Sequence, residues 1–493
     1  METITSIKPV LAVSVSLVCT LFIILSSKRP NLREGCTFLA GIIKLGIVAS
    51  MIPAVLAKKE IVYNLIDVLP GVGIAFRVDS FGLLFALVSS SLWIVTSAYS
   101  VGYMRGLKEH SQTRYFCYFA LALSATVGVA FSANLLTLYL FYEMLSLATY
   151  PLVTHHQDLE ARRSGRKYLL YIVGTSIGIV LPAMLICYNM TGTLEFSTQG
   201  IFSGTEHKAT ITVLLLMLVL GFAKVAIMPL HSWLPAAMVA PTPVSALLHA
   251  VAVVKVGAFS VLRVVTGVFG VSLLTDLHLG TLICYIAAFT VIVASLIALT
   301  QDGLKRRLAF STIGQLSYIV LGIALLSPKG MIGGMIHIAM HAFGKITLFF
   351  CAGAIFVATG KKNISEMVGI GKRMPVTMIA FFIGSLSVIG LPPCGGFISK
   401  WNLVLGTLEA DQMVMLYVLL GSSLLNAAYF LPIVYKAFFC TEEESMFENK
   451  VEEGPIWCVA PLVLTALVSI VLFFYPQPFL RLASMAVESM IGG

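Results

Sequence analysis

Lys44, Lys224, Lys255, Lys345 and Lys400 each fall inside a long apolar run, and no arginine accompanies them. A desolvated lysine can give up its proton, whereas a guanidinium stays charged, so an all-lysine set suits groups that titrate. Each buried charge costs at least about 2.5–3.5 kcal/mol at the bilayer centre, and residues kept at that cost mark ion or proton pathways by default. His337, His341 and Lys345 follow one another at i, i+4 and i+8. On a helix that spacing lines them along one gently drifting face, about 12 Å from end to end. Histidine both donates and accepts near neutral pH, so interleaved His and Lys suit proton hopping. His249 and Lys255 share the preceding pathway segment.

Glu143 is the acidic residue placed deep in a span, and Lys224 is its expected partner, because opposite charges offset each other's desolvation. A static buried ion pair is the alternative reading. If the pair separates, a unit charge about 7 Å away is worth roughly 2 kcal/mol at an effective dielectric of 20, between one and two pKa units. Such a change would drive a proton from Lys224 toward Lys255, Lys345 and Lys400. For His231 or His249 taken singly, a satisfied polar contact competes with a pathway role. Lys44 shows no partner in sequence and is expected either to snorkel or to touch a neighbouring protein of the same complex, outside the pathway.

The elements that carry these groups are membrane spans. The 493 residues are 58% hydrophobic and 11% charged, with a mean hydropathy of +0.95. Apolar runs of about 20 residues, the length that crosses roughly 30 Å of hydrocarbon, recur with short connections. They predict an all-α polytopic membrane protein of about 14 transmembrane helices. Of the 32 Lys and Arg residues, more fall on the side holding Lys28, Arg105, Arg162, Lys305 and Lys361. That side is expected to be cytoplasmic, with both termini outside. The net charge of +9 then follows from topology and not from nucleic-acid binding. Lys28 and Arg29 directly follow the first run, with no small-residue cleavage site, so it reads as a retained helix. The nine cysteines are scattered without CxxC or Cys/His ligand spacing, which supports neither a metal nor a cofactor.

Ile61 to Asp79 mixes β-branched residues with Pro70, Gly71 and Gly73, which predicts a hairpin or extended loop. Thr441 to Gly454 reads as an acidic solvated loop. Pro229 and Pro235 interrupt the seventh span, and Gly390-Leu391-Pro392-Pro393 the twelfth. Broken helices at membrane depth line hydrated cavities or are buried in protein. Lying five spans apart, the breaks suggest two inverted five-helix repeats, spans 4–8 (residues 113–267) and 9–13 (268–440). Helices 1–3 (1–112) precede them; the acidic loop, helix 14 and a short tail (441–493) follow.

These segments resemble the antiporter-like family shared by Mrp-type cation/proton antiporters, membrane-bound hydrogenases and respiratory complex I. The resemblance rests on Leu140-Phe141-Tyr142-Glu143, Gly221-Phe222-Ala223-Lys224 through Pro235, Ala240-Pro241-Thr242-Pro243 through His249, Gln301-Asp302, His341-Ala342-Phe343-Gly344-Lys345 and Gly390-Leu391-Pro392-Pro393 through Lys400. It implies two half-channels joined by a polar axis. Glu143 and Lys224 would form a modulating pair, Lys255 and Lys345 would connect the half-channels, and Lys400 would end the path. It also implies no redox centre or nucleotide in this chain, and a hetero-oligomer of membrane subunits in the plasma membrane. The chain looks most like the D-type component of the Mrp-type antiporters. The tail after Tyr475 leaves no room for the long lateral helix of one complex I member, and another carries glutamate where Lys400 stands. The expected function is proton translocation in a multisubunit Na⁺/H⁺ antiporter. The alternatives are the pump module of a redox-driven complex and an inert membrane scaffold, against which the cost of the buried lysines argues.

Overall fold

The computed structural model describes residues 2–202, 208–440 and 451–491. In hydrocarbon every backbone N–H and C=O must find a partner within the protein, which leaves helices as the solution for chains of this composition. The crossing helices are α1 (Lys8–Leu25), α2 (Pro30–Ala49), α3 (Ser80–Gly106), α4 (Gln112–Ala130), α5 (Leu135–Val153), α6 (Leu159–Thr191), α7 (Lys208–Gly221), α8 (Thr242–Phe269), α9 (Leu279–Thr300), α10 (Leu304–Ala324), α11 (Pro328–Thr359), α12 (Pro375–Ile389) with its continuation α13 (Gly396–Glu409), α14 (Met413–Phe439) and α15 (Ile456–Phe474). Among the described residues, twelve helices are long and apolar enough to span a membrane, and α7 and α12 are the two shorter apolar ones. The chain is a polytopic, all-α membrane protein. Several helices start at polar caps: Asp79, Asn134, Asp158 and Ser327 each accept a hydrogen bond from a backbone N–H of the first turn.

Apolar side chains such as Leu25, Leu147, Phe289, Leu424 and Phe474 face outward. An aqueous domain would hide them; here they form the lipid-facing surface. α8 lies at the opposite extreme, with its whole apolar window buried, and α10 is nearly as enclosed. α8 carries His249 and Lys255, and α11 carries His337, His341 and Lys345.

Both predicted interruptions are present. α7 stops at Gly221, and a single tight turn, Ala223–Val225, carries Lys224. The backbone groups freed there are taken up locally: Trp233 Nε1 donates to Ala223 O at 3.0 Å and Met228 N to Thr290 Oγ1 at 3.2 Å. Gly257 of α8 lets the turn come close, since a Cβ there would collide with the backbone of Lys224 and Val225. In the other break α12 ends on Gly390, whose φ of +90° favours glycine, and the chain restarts at Gly396.

Four expectations change. The hairpin is present as β2 (Lys59–Leu69) and β3 (Val72–Val78), but it is completed by β1 (Glu2–Thr5), which pairs parallel to β2 and gave no signal in so short a run. The residues after Tyr475 form a helix, α16 (Gln477–Ile491), that buries Leu482, Ala483, Ala486 and Val487, and not a mere short tail. Of the acidic loop, residues 441–450 lie outside the described residues. Glu452 and Glu453 are tied down, to Arg373 at 2.8 Å and to Val376 N at 2.7 Å. Finally, α8 is not one regular helix: Leu247–Val251 forms a wide π turn and Ala252 has φ −116° and ψ −83°. Such bulges recur where a helix serves a functional site.

Candidate proton conduit

Lys224 is fully buried. Its Nζ donates to Tyr142 O and to Ser146 Oγ, both at 2.7 Å, and lies 3.0 Å from the centroid of the Tyr142 ring. The partners are thus the residues flanking Glu143 on α5, not Glu143 itself. Among the described residues no ion pair joins the two. Glu143 is half-buried, not deep, and its Oε1 has no hydrogen-bond partner among the described residues. The direct contact expected from sequence is therefore replaced by a longer-range interaction, with Lys224 held by neutral oxygens.

Lys255 lies two residues before Gly257, the glycine that packs on the Lys224 turn. Its Nζ is 2.8 Å from His341 Nδ1. This contact couples two titratable groups directly: an ammonium donates to the imidazole lone pair, and the same hydrogen bond is the path by which the proton would cross. The rings of His341 and His337 stack at 5.6 Å, as the i, i+4 spacing requires. His337 is fixed from both sides. Its Nε2 is 3.1 Å from Gln315 Oε1 and its Nδ1 is 2.8 Å from Ser399 Oγ. Since an amide oxygen only accepts, Nε2 carries the hydrogen toward Gln315, and the single Ser399 hydroxyl hydrogen is shared between His337 Nδ1 and Gly396 O, 3.0 Å away.

Ser399 precedes Lys400, which returns across the second break. Lys400 Nζ donates to Ile389 O at 2.9 Å and Ser423 Oγ at 3.3 Å, over the Tyr318 ring. Lys345, one further turn along α11, is buried, with no hydrogen-bond partner for its Nζ among the described residues, and sits 5.6 Å from the Phe430 ring. His249, in the π turn of α8, is also buried, with both ring nitrogens unpartnered among the described residues and its ring 4.8 Å from Phe349. The charges acting on it are those of Lys345 and Lys305. An unpaired buried polar group is costly, and among the described residues His249, His341 Nε2 and Lys345 are three such groups in this part of the interior.

Lys305, counted with the loop cations, is half-buried and donates to Ala240 O at 2.5 Å. It lies in the wall of a cavity of about 910 Å³ that is also lined by His231, Ser232, Thr242 and Phe310. His231 is half-exposed in that wall and contacts Pro229 O, so the structure places it at the mouth and not in the buried axis. Thr242 begins α8, and His249 is seven residues on, about 10 Å deeper at 1.5 Å per residue.

Sequence reasoning also missed Gln315, Ser399, Ser146 and Tyr318. Gln315 had a signal, as an amide in the otherwise apolar middle of α10; the others are ordinary hydroxyl residues until folding brings them to a lysine or histidine. Lys44 neither snorkels nor needs a neighbouring protein. Its Nζ donates to Ser16 Oγ at 2.6 Å and Leu123 O at 3.0 Å, and faces Trp93. Nor is the buried set free of arginine. Arg263, in α8, is 4% exposed and pairs with Asp79 through two bonds of 2.5 and 2.7 Å. The chemistry behind the expectation survives, because this guanidinium keeps its charge and has a dedicated carboxylate. Burial would raise the Asp79 pKa, but the Arg263 charge and hydrogen bonds outweigh it and hold the carboxyl below its ordinary value of 3.8.

A buried Lys/His chain framed by two broken helices defines a polytopic ion-transport protein. Residues 132–426 match the family described as "NADH:quinone oxidoreductase/Mrp antiporter, TM", and the chain belongs to that family. It is 38% identical over 348 residues to the N-type subunit of the NADH-quinone oxidoreductase of Desulforudis audaxviator, covering 69% of this chain and 68% of the relative. It is 32% identical over 455 residues to the A-type component of the Na⁺/H⁺ antiporter of Alkalihalophilus pseudofirmus, covering 85% of this chain and 54% of the relative. The chain thus spans about half the length of that antiporter relative. Among solved structures, a chain of an archaeal respiratory complex, the membrane-bound sulfane sulfur reductase, superimposes with a TM-score of 0.88 at 26% identity, over 99% of this chain and 98% of the other. A chain of the Mrp complex from Dietzia sp. shares the fold, with a TM-score of 0.86 at 21% identity over 98% and 97%. As a member of the family, the chain is a membrane subunit of the proton-translocating type.

Proposed function

We propose that this chain moves protons for a multisubunit monovalent cation/H⁺ antiporter, exchanging Na⁺ for H⁺ together with other membrane subunits. The observation that carries the proton pathway is the 2.8 Å contact between Lys255 Nζ and His341 Nδ1, continued through His337 to Ser399 beside Lys400. Protons enter by the cavity at Lys305 and reach His249. They pass among Lys255, His341, His337 and Lys345, and leave by Lys400. Glu143 acts on Lys224 through space, and a change in their separation sets whether Lys224 holds its proton. Support for the antiporter reading comes from the 32% identity to the Na⁺/H⁺ antiporter relative and from a lysine, not a carboxylate, at the end of the path.

Helices α4 to α8 and α9 to α14 form the two inverted repeats, each with its broken helix in the corresponding place. The face bearing Lys28, Arg105, Arg162, Lys305 and Lys361 is cytoplasmic in the plasma membrane, and both termini lie outside. A second reading, the pump module of a redox-driven complex, is favoured by the 38% identity to the oxidoreductase relative and the 26% identity to the sulfane sulfur reductase chain.

One experiment separates them. The intact complex is purified in mild detergent, its subunits are identified, and it is reconstituted in vesicles with a pH dye inside. Dissipation of a pH gradient on adding Na⁺, lost in Lys255→Ala, supports antiport. Co-purifying cofactor-bearing proteins and a gradient that responds only to electron donors support the second reading. Proton movement that is unchanged in Lys255→Ala sinks both.

A further inference from the structure

Two loops on the face that opens the cavity each carry adjacent ligand-type residues, Glu109-His110 after α3 and His155-His156 after α5. Glu109 Oε2 lies 3.8 Å from each of His110 Nδ1, His155 Nε2 and His156 Nδ1. The ligand atoms of Glu109, His110 and His156 all fall within 4.8 Å of one another. We propose that Glu109, His110, His155 and His156 form a binding site for a divalent transition-metal ion of the zinc class.

Spacing supports this first. Three separations of 3.8 Å are too long for hydrogen bonds. Bonds of 2.0–2.1 Å in a tetrahedral site put ligand atoms about 3.3 Å apart, so Glu109, His110 and His156 need close by only a few tenths of an ångström to about 1.5 Å, and His155 joins them through its 3.8 Å approach to Glu109. The second support is His155, which is fully buried and has no hydrogen-bond partner at either ring nitrogen among the described residues. A buried imidazole left unpaired costs free energy that a metal bond to its Nε2 would recover. Third, the tautomer of His110 is set: its Nε2 is 3.0 Å from the His155 carbonyl, which can only accept, so Nδ1 keeps its lone pair toward Glu109. Arg114 donates to the same carbonyl at 2.8 Å, which occupies its charge there but leaves a cation nearby. Three imidazoles and one carboxylate favour zinc, cobalt, nickel or copper over calcium or magnesium, which take all-oxygen shells. Glu109 and His156 also line the 910 Å³ cavity, which gives an ion a route from water and places it beside the mouth of the conduit.

The test uses the full chain in its purified complex, stripped with chelator and titrated with Co²⁺ and then Zn²⁺. The comparison is a His110→Gln/His156→Gln double variant; both side chains are partly exposed, at 50% and 34%, and neither belongs to the conduit. The wild type should hold one equivalent more metal than the variant, show the intense visible bands of tetrahedral Co²⁺, and lose them on adding Zn²⁺ but not Ca²⁺ or Mg²⁺. The variant should bind at least roughly tenfold more weakly while its thermal unfolding is unchanged. Equal metal content in the two proteins, or a weak octahedral Co²⁺ spectrum in the wild type, overturns the proposal.

Discussion

Gly257→Ala tests whether the turn carrying Lys224 and the helix carrying Lys255 depend on one close contact. A Cβ at 257 would lie 2.8 Å from Lys224 Cβ and closer still to the backbone of Lys224 and Val225. Carbon atoms settle at about 3.5–4.0 Å, so the turn must retreat by roughly 1 Å. Lys224 Nζ now reaches Tyr142 O and Ser146 Oγ at 2.7 Å. A shift of that size moves Lys224 relative to α5 by more than the few tenths of an ångström that a hydrogen bond tolerates, so both bonds to the buried amine lose their present geometry. Overpacking costs about 1–3 kcal/mol, against which alanine's better helix propensity returns at most about 1 kcal/mol. Gly46→Ala is the control, because a Cβ there meets nothing within 4 Å. In proton-flux assays on reconstituted complex, with thermal unfolding followed in parallel, Gly257→Ala should lose most of its flux and unfold at lower temperature. Gly46→Ala should keep its flux and hold or gain stability. Full flux and unchanged unfolding in Gly257→Ala would refute the argument that this contact sets the position of Lys224.

Removing one partner of the Asp79–Arg263 pair leaves a buried charge alone, so Asp79→Asn should destabilise the protein by roughly 3–5 kcal/mol, read as a lowered melting temperature. Because the folded-state pKa of Asp79 lies below its ordinary 3.8, the pair's contribution is complete above that value and is lost as pH falls through the folded pKa. Melting temperature should drop on acidification below about pH 4 in the wild type, and this part of the drop should vanish in Asp79→Asn. Gln315→Leu frees His337 Nε2 and should slow proton flux more than it lowers the melting temperature; the reverse pattern would make Gln315 a purely structural partner. Lys255→Met should abolish flux while Lys44→Met, equally buried but bonded only to Ser16 and Leu123, should retain it; equal losses would place Lys44 in the pathway.

The spans and the buried lysines were legible in the sequence because a charge in hydrocarbon is rare and costly enough to stand out singly. The helical repeat of His337, His341 and Lys345 was legible for the same reason. What pairs with what was not. Lys224 bonds to the neighbours of Glu143, and Lys255 to a histidine 86 residues away, choices made by the approach of α5, α8 and α11. Arg263 was missed because it sits near a predicted span end, where a few residues decide between water and protein. The π turn at His249 leaves no mark in hydropathy. The Glu109/His155 cluster escaped attention because its two halves, each an ordinary dipeptide, lie far apart in the chain.

The complete enclosure of α8 also bears on how the protein is made. Its apolar window is rich enough to enter the bilayer as an ordinary helix, yet in the finished protein it has no lipid-facing side. Lys255 waits for His341 while 86 more residues are synthesised, roughly 4–17 s at 5–20 residues per second. During that interval the nascent α8 holds an ionisable side chain in lipid or in the insertion machinery, with the helices that will sheathe it still unmade. Chains halted before α11 should therefore be degraded as unassembled, which makes closure over α8 a natural checkpoint in biogenesis.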